Sequence, residues 1–379
     1  SKDIAFSMEL LVNTTLALEE TILDDMKEWK PDCIVADSVA TWGKLTALKM
    51  GIPYISSTTT FAFNQHSAKI MKQGIKALFG MLFSMPKANK YVKKLKKKGY
   101  PVNGVLSIVQ NDNETDTIVY TSPEFQPCAE TFSDKYVFVG PSIRKLDYEV
   151  RALEKKTIYI SLGTVNNQVL SFFKNCIQAL KDSDMNVIMS VGDVIDLSEL
   201  GTLPENIQVE RSVNQIEVLQ QVDAFITHCG MNSVNEALYY QVPLILFPQT
   251  SEQGGVAYRV NELGAGIYLK ENQVNSIKEA VTEVVNNPSY KENAKKIAES
   301  FYRCGGNPLW YLCFCGHGGE QLVFGYDCLR VVAYSVCSSA ASEQVHGAGN
   351  QTPLRRHGSQ YGSIQGYHYG RGDFLSEQS

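Results

Sequence analysis

The chain has 379 residues, 44% of them hydrophobic and 20% charged, with a formal net charge of −5. That length suits two domains and a remainder. The balance is that of an ordinary soluble globular protein, and it excludes the positive field a nucleic-acid binder uses. No apolar run is long enough to span a bilayer, so no membrane span is expected. Usage changes along the chain: all 26 lysines lie at or before Lys296, whereas residues 307–379 hold four arginines, no lysine and 11 of the 28 glycines.

Ser1-Lys2-Asp3 does not begin a signal peptide. Helical periodicity starts almost at once, through Met8, Leu11, Val12, Leu16, Ile22, Met26 and Trp29, so the chain reads as entered part-way through a domain. Lys30-Pro31-Asp32 punctuates. Cys33 to Ala36 is then a buried strand ending at Asp37, Val39 to Met50 a helix closed by Gly51, and Ile52 to Ser56 a second strand. Strand, helix, glycine stop, strand is a βαβ unit with parallel neighbours. Residues 61–109 read as helical and carry the basic run Lys93 to Lys98, which reads as a solvated helix face in preference to a contact for an anionic membrane surface or an acidic partner. Strands at 117–120 and 136–139 and a charged linker at 142–156 follow.

A second alternation then runs from a strand at 157–161 and a helix at 171–181 through strands at 186–191, 207–210, 223–227, 243–247 and 267–269. Helices fall at 216–221, 232–240, 253–263 and, as a pair, within 277–298. Alternation of this kind implies α/β layers around parallel sheets. The fold class is therefore α/β, with two Rossmann-like domains whose parallel sheets face a cleft. Residues 1–146 form a partial N-terminal domain and 147–306 a second domain. Residues 307–379, Cys- and Gly-rich without a period, are read as a frameshifted or disordered tail with no function. Cys33, Cys128, Cys176 and Cys229 read as reduced thiols, as in a cytoplasmic protein. In the tail, Cys313, Cys315, His317, Cys328 and Cys337 lack zinc-site spacing, and Arg371-Gly372-Asp373 is a chance tripeptide.

The densest chemistry lies in Phe225-Ile226-Thr227-His228-Cys229-Gly230-Met231-Asn232-Ser233-Val234-Asn235-Glu236-Ala237. A strand delivers His228, Gly230 turns the backbone, and Asn232-Ser233 open a helix whose free amides make an anion site. A capped helix start beside a core histidine is the plain alternative. The order His228, Gly230, Ser233, Glu236, Pro243, Pro248, Gln249, Glu252, Gln253 resembles the nucleotide-diphosphate-sugar glycosyltransferases of two-Rossmann-domain (GT-B) type. It resembles in particular their bacterial macrolide- and flavonoid-glycosylating branch. Looser similarity runs from about Pro31 to Gly306.

That resemblance implies the site roles. His228, with the amides around Gly230, Asn232 and Ser233, would hold the donor diphosphate, approached by Gly163 and Thr164 from the first turn. Glu236 would bind ribose, Val213 and Gln215 uracil, and Glu252 and Gln253 the sugar. Asn214 stands where the family usually has Pro, which implies a less rigid base-binding turn. Asp37 would orient a histidine that serves as the acceptor's base. That histidine is missing, since none precedes His66, and His66 lies in the wrong motif. The implied reaction is inverting and needs neither metal nor cofactor: a UDP-sugar is co-substrate and a small lipophilic hydroxylated molecule the acceptor. A monomer is expected. One alternative is a catalytically dead chain that still binds UDP. A nucleotide-sugar epimerase is less favoured, because no Gly-x-Gly-x-x-Gly occurs.

Overall fold

The computed structural model describes residues 4–64, 66–67, 75–109, 111–144, 146–151, 153–163, 169–305, 331–336 and 364–368. The chain divides into two compact units, one of residues 1–119, 130–137 and the strands beyond 330, the other of residues 120–129 and 138–305.

In the first unit α1 (Ile4–Trp29) leads to β1 (Cys33–Asp37), α2 (Thr41–Met50) and β2 (Tyr54–Thr58). Then come α3 (Ile75–Lys97), α4 (Val105–Val109), β3 (Thr117–Val119) and β4 (Tyr136–Phe138). β1 pairs parallel with β2 and β2 with β3, the ladder expected of a βαβ unit. Gly51 ends α2 in the left-handed region at φ 68°, its amide donating to the Ala47 carbonyl. The second strand starts two residues later than expected, because Pro53 has no amide for the ladder. In residues 61–109, expected to be helical, the described residues include α3 and α4, which Gly99 (φ 82°) and Pro101 separate. The core of the unit is α1 laid over α2 and α3: Met8 and Val12 meet Leu45, Ala88, Val92 and Leu95, while Ile22 and Met26 meet Ile34 and Trp42.

Two further strands join this sheet from the 307–379 stretch. β11 (Val331–Val336) pairs parallel with the free edge of β1, and β12 (Ile364–His368) pairs antiparallel with β11. Composition predicts neither strand. Val331-Val332-Ala333-Tyr334 is nonetheless a β-branched and aromatic run, and β1 presents an edge whose backbone groups need partners. The zinc-like residues up to Cys337 and the Arg371–Asp373 tripeptide lie outside the described residues.

The second unit is a six-stranded, wholly parallel sheet in the order β10-β9-β8-β5-β6-β7. Its strands are β5 (Thr157–Ser161), β6 (Asn186–Ser190), β7 (Ile207–Glu210), β8 (Ala224–Thr227), β9 (Leu244–Leu246) and β10 (Gly266–Tyr268). Its helices are α5 (Leu170–Leu180), α6 (Gln215–Leu219), α7 (Met231–Tyr239), α8 (Ser251–Glu262), α9 (Val274–Asn286) and α10 (Pro288–Arg303). Every residue of β5, β8 and β9 is buried, as expected for a sheet covered on both faces. From β5 the chain winds outward to β6 and β7, and from β8 it winds the other way to β9 and β10. The order reverses between β5 and β8, and ligands of open α/β sheets sit beyond the carboxyl ends of the strands at that reversal.

The unit boundary departs from a cut at residue 146. Residues 120–129 leave β3 and pack with α8 and α10: the Phe125 ring meets Phe301 edge-on at 5.8 Å, and Arg259 donates from Nε to the Phe125 carbonyl at 3.0 Å. The hydroxyls of Ser122 and Ser300 share a buried hydrogen bond of 2.7 Å.

Candidate functional site

β5 and β8 lie side by side with Ser161 level with Thr227, so the turns that follow them meet. The first turn brings Gly163 and the second brings His228 and Gly230. A Cβ on Gly163 would lie 2.6 Å from His228 Cε1, and one on Gly230 would lie 2.6 Å from Nε2. The imidazole is held between two positions that only glycine fits. Gly163 also needs its φ of 74°. Between His228 and Gly230, Cys229 adopts φ 67°, costly for a residue with a Cβ, and its amide donates to Thr227 Oγ1 at 3.1 Å.

Burial lowers the His228 pKa from its ordinary 6.5, so the ring is neutral at pH 7. Its Nδ1 is buried with no hydrogen-bond partner among the described residues. A buried ring nitrogen without a partner is costly, and an incoming polar ligand would relieve that cost. α7 begins at the next turn with Gly230 as its N-cap and no side-chain cap, which leaves its first-turn amides for an anion.

One turn further on, α7 carries Ser233 and Glu236 on the face opposite buried Val234, Ala237 and Leu238. Both are tied to Gln215 at the start of α6: its Nε2 donates to Ser233 Oγ at 3.2 Å and to Glu236 Oε2 at 2.5 Å. Gln215 Oε1 in turn accepts from the Tyr159 hydroxyl at 3.2 Å, which leaves the amide one orientation. Tyr159 is buried in β5, its ring stacked on Phe225 at 4.5 Å, and burial pushes its phenol up to about 12. Burial also raises the Glu236 carboxyl, against the Gln215 hydrogen bond. Sequence reasoning missed Tyr159. Its polar tip in an otherwise apolar strand was the available signal.

The predicted base-binding turn sits beside this network. Val213 is half-buried, and Asn214, expected to loosen the turn, is the N-cap of α6. The Asn214 amide lies 3.5 Å from both the Tyr148 hydroxyl and Glu217 Oε2, which are bonded to each other at 2.7 Å. The predicted sugar-binding pair lies in the first turn of α8. Glu252 is exposed, whereas Gln253 Oε1 accepts from the amides of Gln249 at 2.7 Å and Thr250 at 3.1 Å, closing a capping box. Its carbonyl oxygen therefore serves the helix, and its amide nitrogen is the group that can meet a hydroxyl. Asn232 is exposed in the first turn of α7. Thr164 lies outside the described residues.

Asp37 belongs to the first unit, at the carboxyl end of β1. Its Oδ1 accepts from the Val39 amide at 2.9 Å and its Oδ2 from Thr59 Oγ1 at 3.3 Å, while burial raises its pKa. It closes the turn before α2 without being the N-cap, which is Ala40. His66 is exposed, its amide donating to Asn64 Oδ1. Among the described residues, no cluster of three or more His, Cys, Asp or Glu side chains could hold a metal ion. No described helix is long and apolar enough to cross a membrane.

Known proteins share both sequence and fold with this chain. Residues 174–303 match the family described as erythromycin biosynthesis protein CIII-like, C-terminal domain. The uncharacterized UDP-glucosyltransferase YojK of Bacillus subtilis is 35% identical over 297 residues, 76% of this chain and 73% of its own length. The NDP-glycosyltransferase YjiC of the same organism is 36% identical over 296 residues, covering 76% of this chain and 72% of its own. Among solved structures, the calicheamicin glycosyltransferase CalG4 superposes with a TM-score of 0.67 at 28% identity, over 79% of this chain and 78% of its own. A reversed parallel sheet with His228 at the reversal, together with relatives of this identity and coverage, assigns the chain to the UDP-glycosyltransferase family, as a GT-B glycosyltransferase of the macrolide and natural-product type.

Proposed function

We propose that the protein transfers a hexose, glucose, from a UDP-sugar to a hydroxyl of a small lipophilic acceptor such as a macrolide or flavonoid, with inversion and without a metal ion. The observation that carries this reading is the neutral, partly unsatisfied His228 imidazole between Gly163 and Gly230 at the start of α7. In the transfer, the acceptor oxygen bonds to the sugar C1 on the face opposite the diphosphate. The C1–O bond breaks, its electron pair goes to the diphosphate, and the acceptor proton goes to a base. The growing negative charge is met by His228 and the first-turn amides of α7, with Gly163 and Thr164 approaching the phosphates. Glu236 would take the ribose hydroxyls, Val213 and Gln215 the uracil, and Glu252 and Gln253 the sugar.

A second reading is that the chain binds UDP without turning it over. It is favoured by Asp37, both of whose carboxylate oxygens already accept hydrogen bonds. Incubation with UDP-glucose and a flavonol in the presence of a chelator separates the two. A β-glucoside formed at an undiminished rate supports the proposal. Absence of product, with UDP still bound, establishes the second reading, and a rate abolished by the chelator contradicts metal-free transfer.

A further inference from the structure

From Ser38 to Asn111 the chain holds twelve lysines and no aspartate, glutamate or arginine, within a protein of net charge −5. The lysines concentrate on α3. Lys87, Lys90, Lys93, Lys94 and Lys97 recur at helical spacing along one exposed stripe, opposite buried Ala88, Val92 and Leu95. Two carboxylates of α1 come near this end of the unit. Glu19 is taken by Lys49 at 2.6 Å and Lys98 at 3.5 Å, and Glu9 helps line a shallow cavity of about 620 Å³ with Asn13, Lys90 and Lys94. Lys94 donates to Asn13 Oδ1 at 2.9 Å. Among the described residues, Lys87, Lys90, Lys93 and Lys97 form no ion pair. On α1, the side chains of Phe6 and Leu10 are exposed, at 50% and 42%.

We propose that the lysine stripe of α3 docks the protein on an anionic phospholipid surface. An uncompensated row of ammonium groups is attractive to any polyanion, and two features select the bilayer. The charges are lysines throughout, whereas sites that read nucleic-acid phosphates and bases favour the arginine fork. The residues of the same helix before the stripe, Ile75–Met85, are apolar in sequence apart from Lys76 and Ser84. An apolar stretch continuing into a lysine face is the pattern of a helix lying in the membrane interface. Docking of this kind needs no membrane-spanning helix, and it does not depend on the transfer reaction proposed above.

The test is flotation of the full chain with vesicles of phosphatidylcholine alone or with about one-third phosphatidylglycerol, at low and high salt. Binding is expected only to the anionic vesicles, and it should be lost when added salt shortens the screening length to ~3 Å. A variant carrying Lys87→Gln, Lys90→Gln, Lys93→Gln and Lys97→Gln should bind at least a hundredfold more weakly, from about fivefold per lysine. The matching four-arginine variant should bind as the wild type does. UDP binding and the melting temperature should be unchanged in the glutamine variant, which separates lost docking from lost folding. Absence of binding to anionic vesicles, equal binding by the glutamine variant, or tighter retention on polyuridylate than on the vesicles would each overturn the proposal.

Discussion

Tyr159, Gln215 and Glu236 act as one unit although 77 positions separate the first from the last. The Tyr159 hydroxyl orients the Gln215 amide, and that amide holds the Glu236 carboxylate and Ser233. If Glu236 receives the ribose hydroxyls, Tyr159→Phe should reduce the preference for UDP over 2′-deoxy-UDP about five- to tenfold, the scale of one neutral hydrogen bond. Titration calorimetry with both nucleotides checks this, and an equal loss for both would show a merely structural role. Glu236 also sets a pH dependence. Its pKa in the fold lies above the ordinary 4.5, so stability is fully present below that value and is lost as the carboxyl ionises at higher pH. Glu236→Gln should therefore raise the melting temperature at neutral pH, with the gain vanishing as pH falls below about 4, while ribonucleotide affinity drops. Scanning calorimetry across pH reads this directly. The residues of α7 were legible from their spacing in one segment. Tyr159 was not, because no local pattern records a hydrogen bond to a turn 56 positions away.

Single elements explain why the site needs its glycines. The register of β5 on β8 forces the turns after them together, and the imidazole fills the space between Gly163 and Gly230. Gly163→Ala should cost about 1–3 kcal/mol of stability, as overpacking does, and lower UDP affinity by at least tenfold. Denaturant melts with nucleotide titration test both effects. The buried central strands were readable as apolar runs, and the α7 start as a glycine followed by Asn-Ser. The close approach of Gly163 to His228 was not readable, since it depends on which strands are neighbours. Gln253 shows the opposite limit: its motif position suggested sugar binding, and the structure uses its carbonyl oxygen to cap α8. The segment at residues 120–129 gives a further test. Phe125 is wholly buried against Phe301 and the arginine of α8. Phe125→Ala should destabilise the protein by about 3–5 kcal/mol without touching the nucleotide site. A lowered denaturation midpoint with unchanged UDP affinity is the expected pair of results.

For the whole molecule, alternating strands and helices were enough to anticipate two α/β units and the direction of their ladders. Composition anticipated neither β11 nor β12, whose pairing depends on the open edge of β1. The division into units was also less legible than the elements, because residues 120–129 join the second unit through Phe125, Ser122 and Arg259 contacts that no linker composition encodes. We propose that the reversal between β5 and β8 is a nucleoside-diphosphate site organised by His228. Titration calorimetry of UDP into the full chain and into His228→Ala tests it most directly. Saturable one-to-one binding by the wild type, weakened at least tenfold in a folded His228→Ala, is the predicted result. No binding by the wild type, or equal affinity in the two proteins, would contradict it.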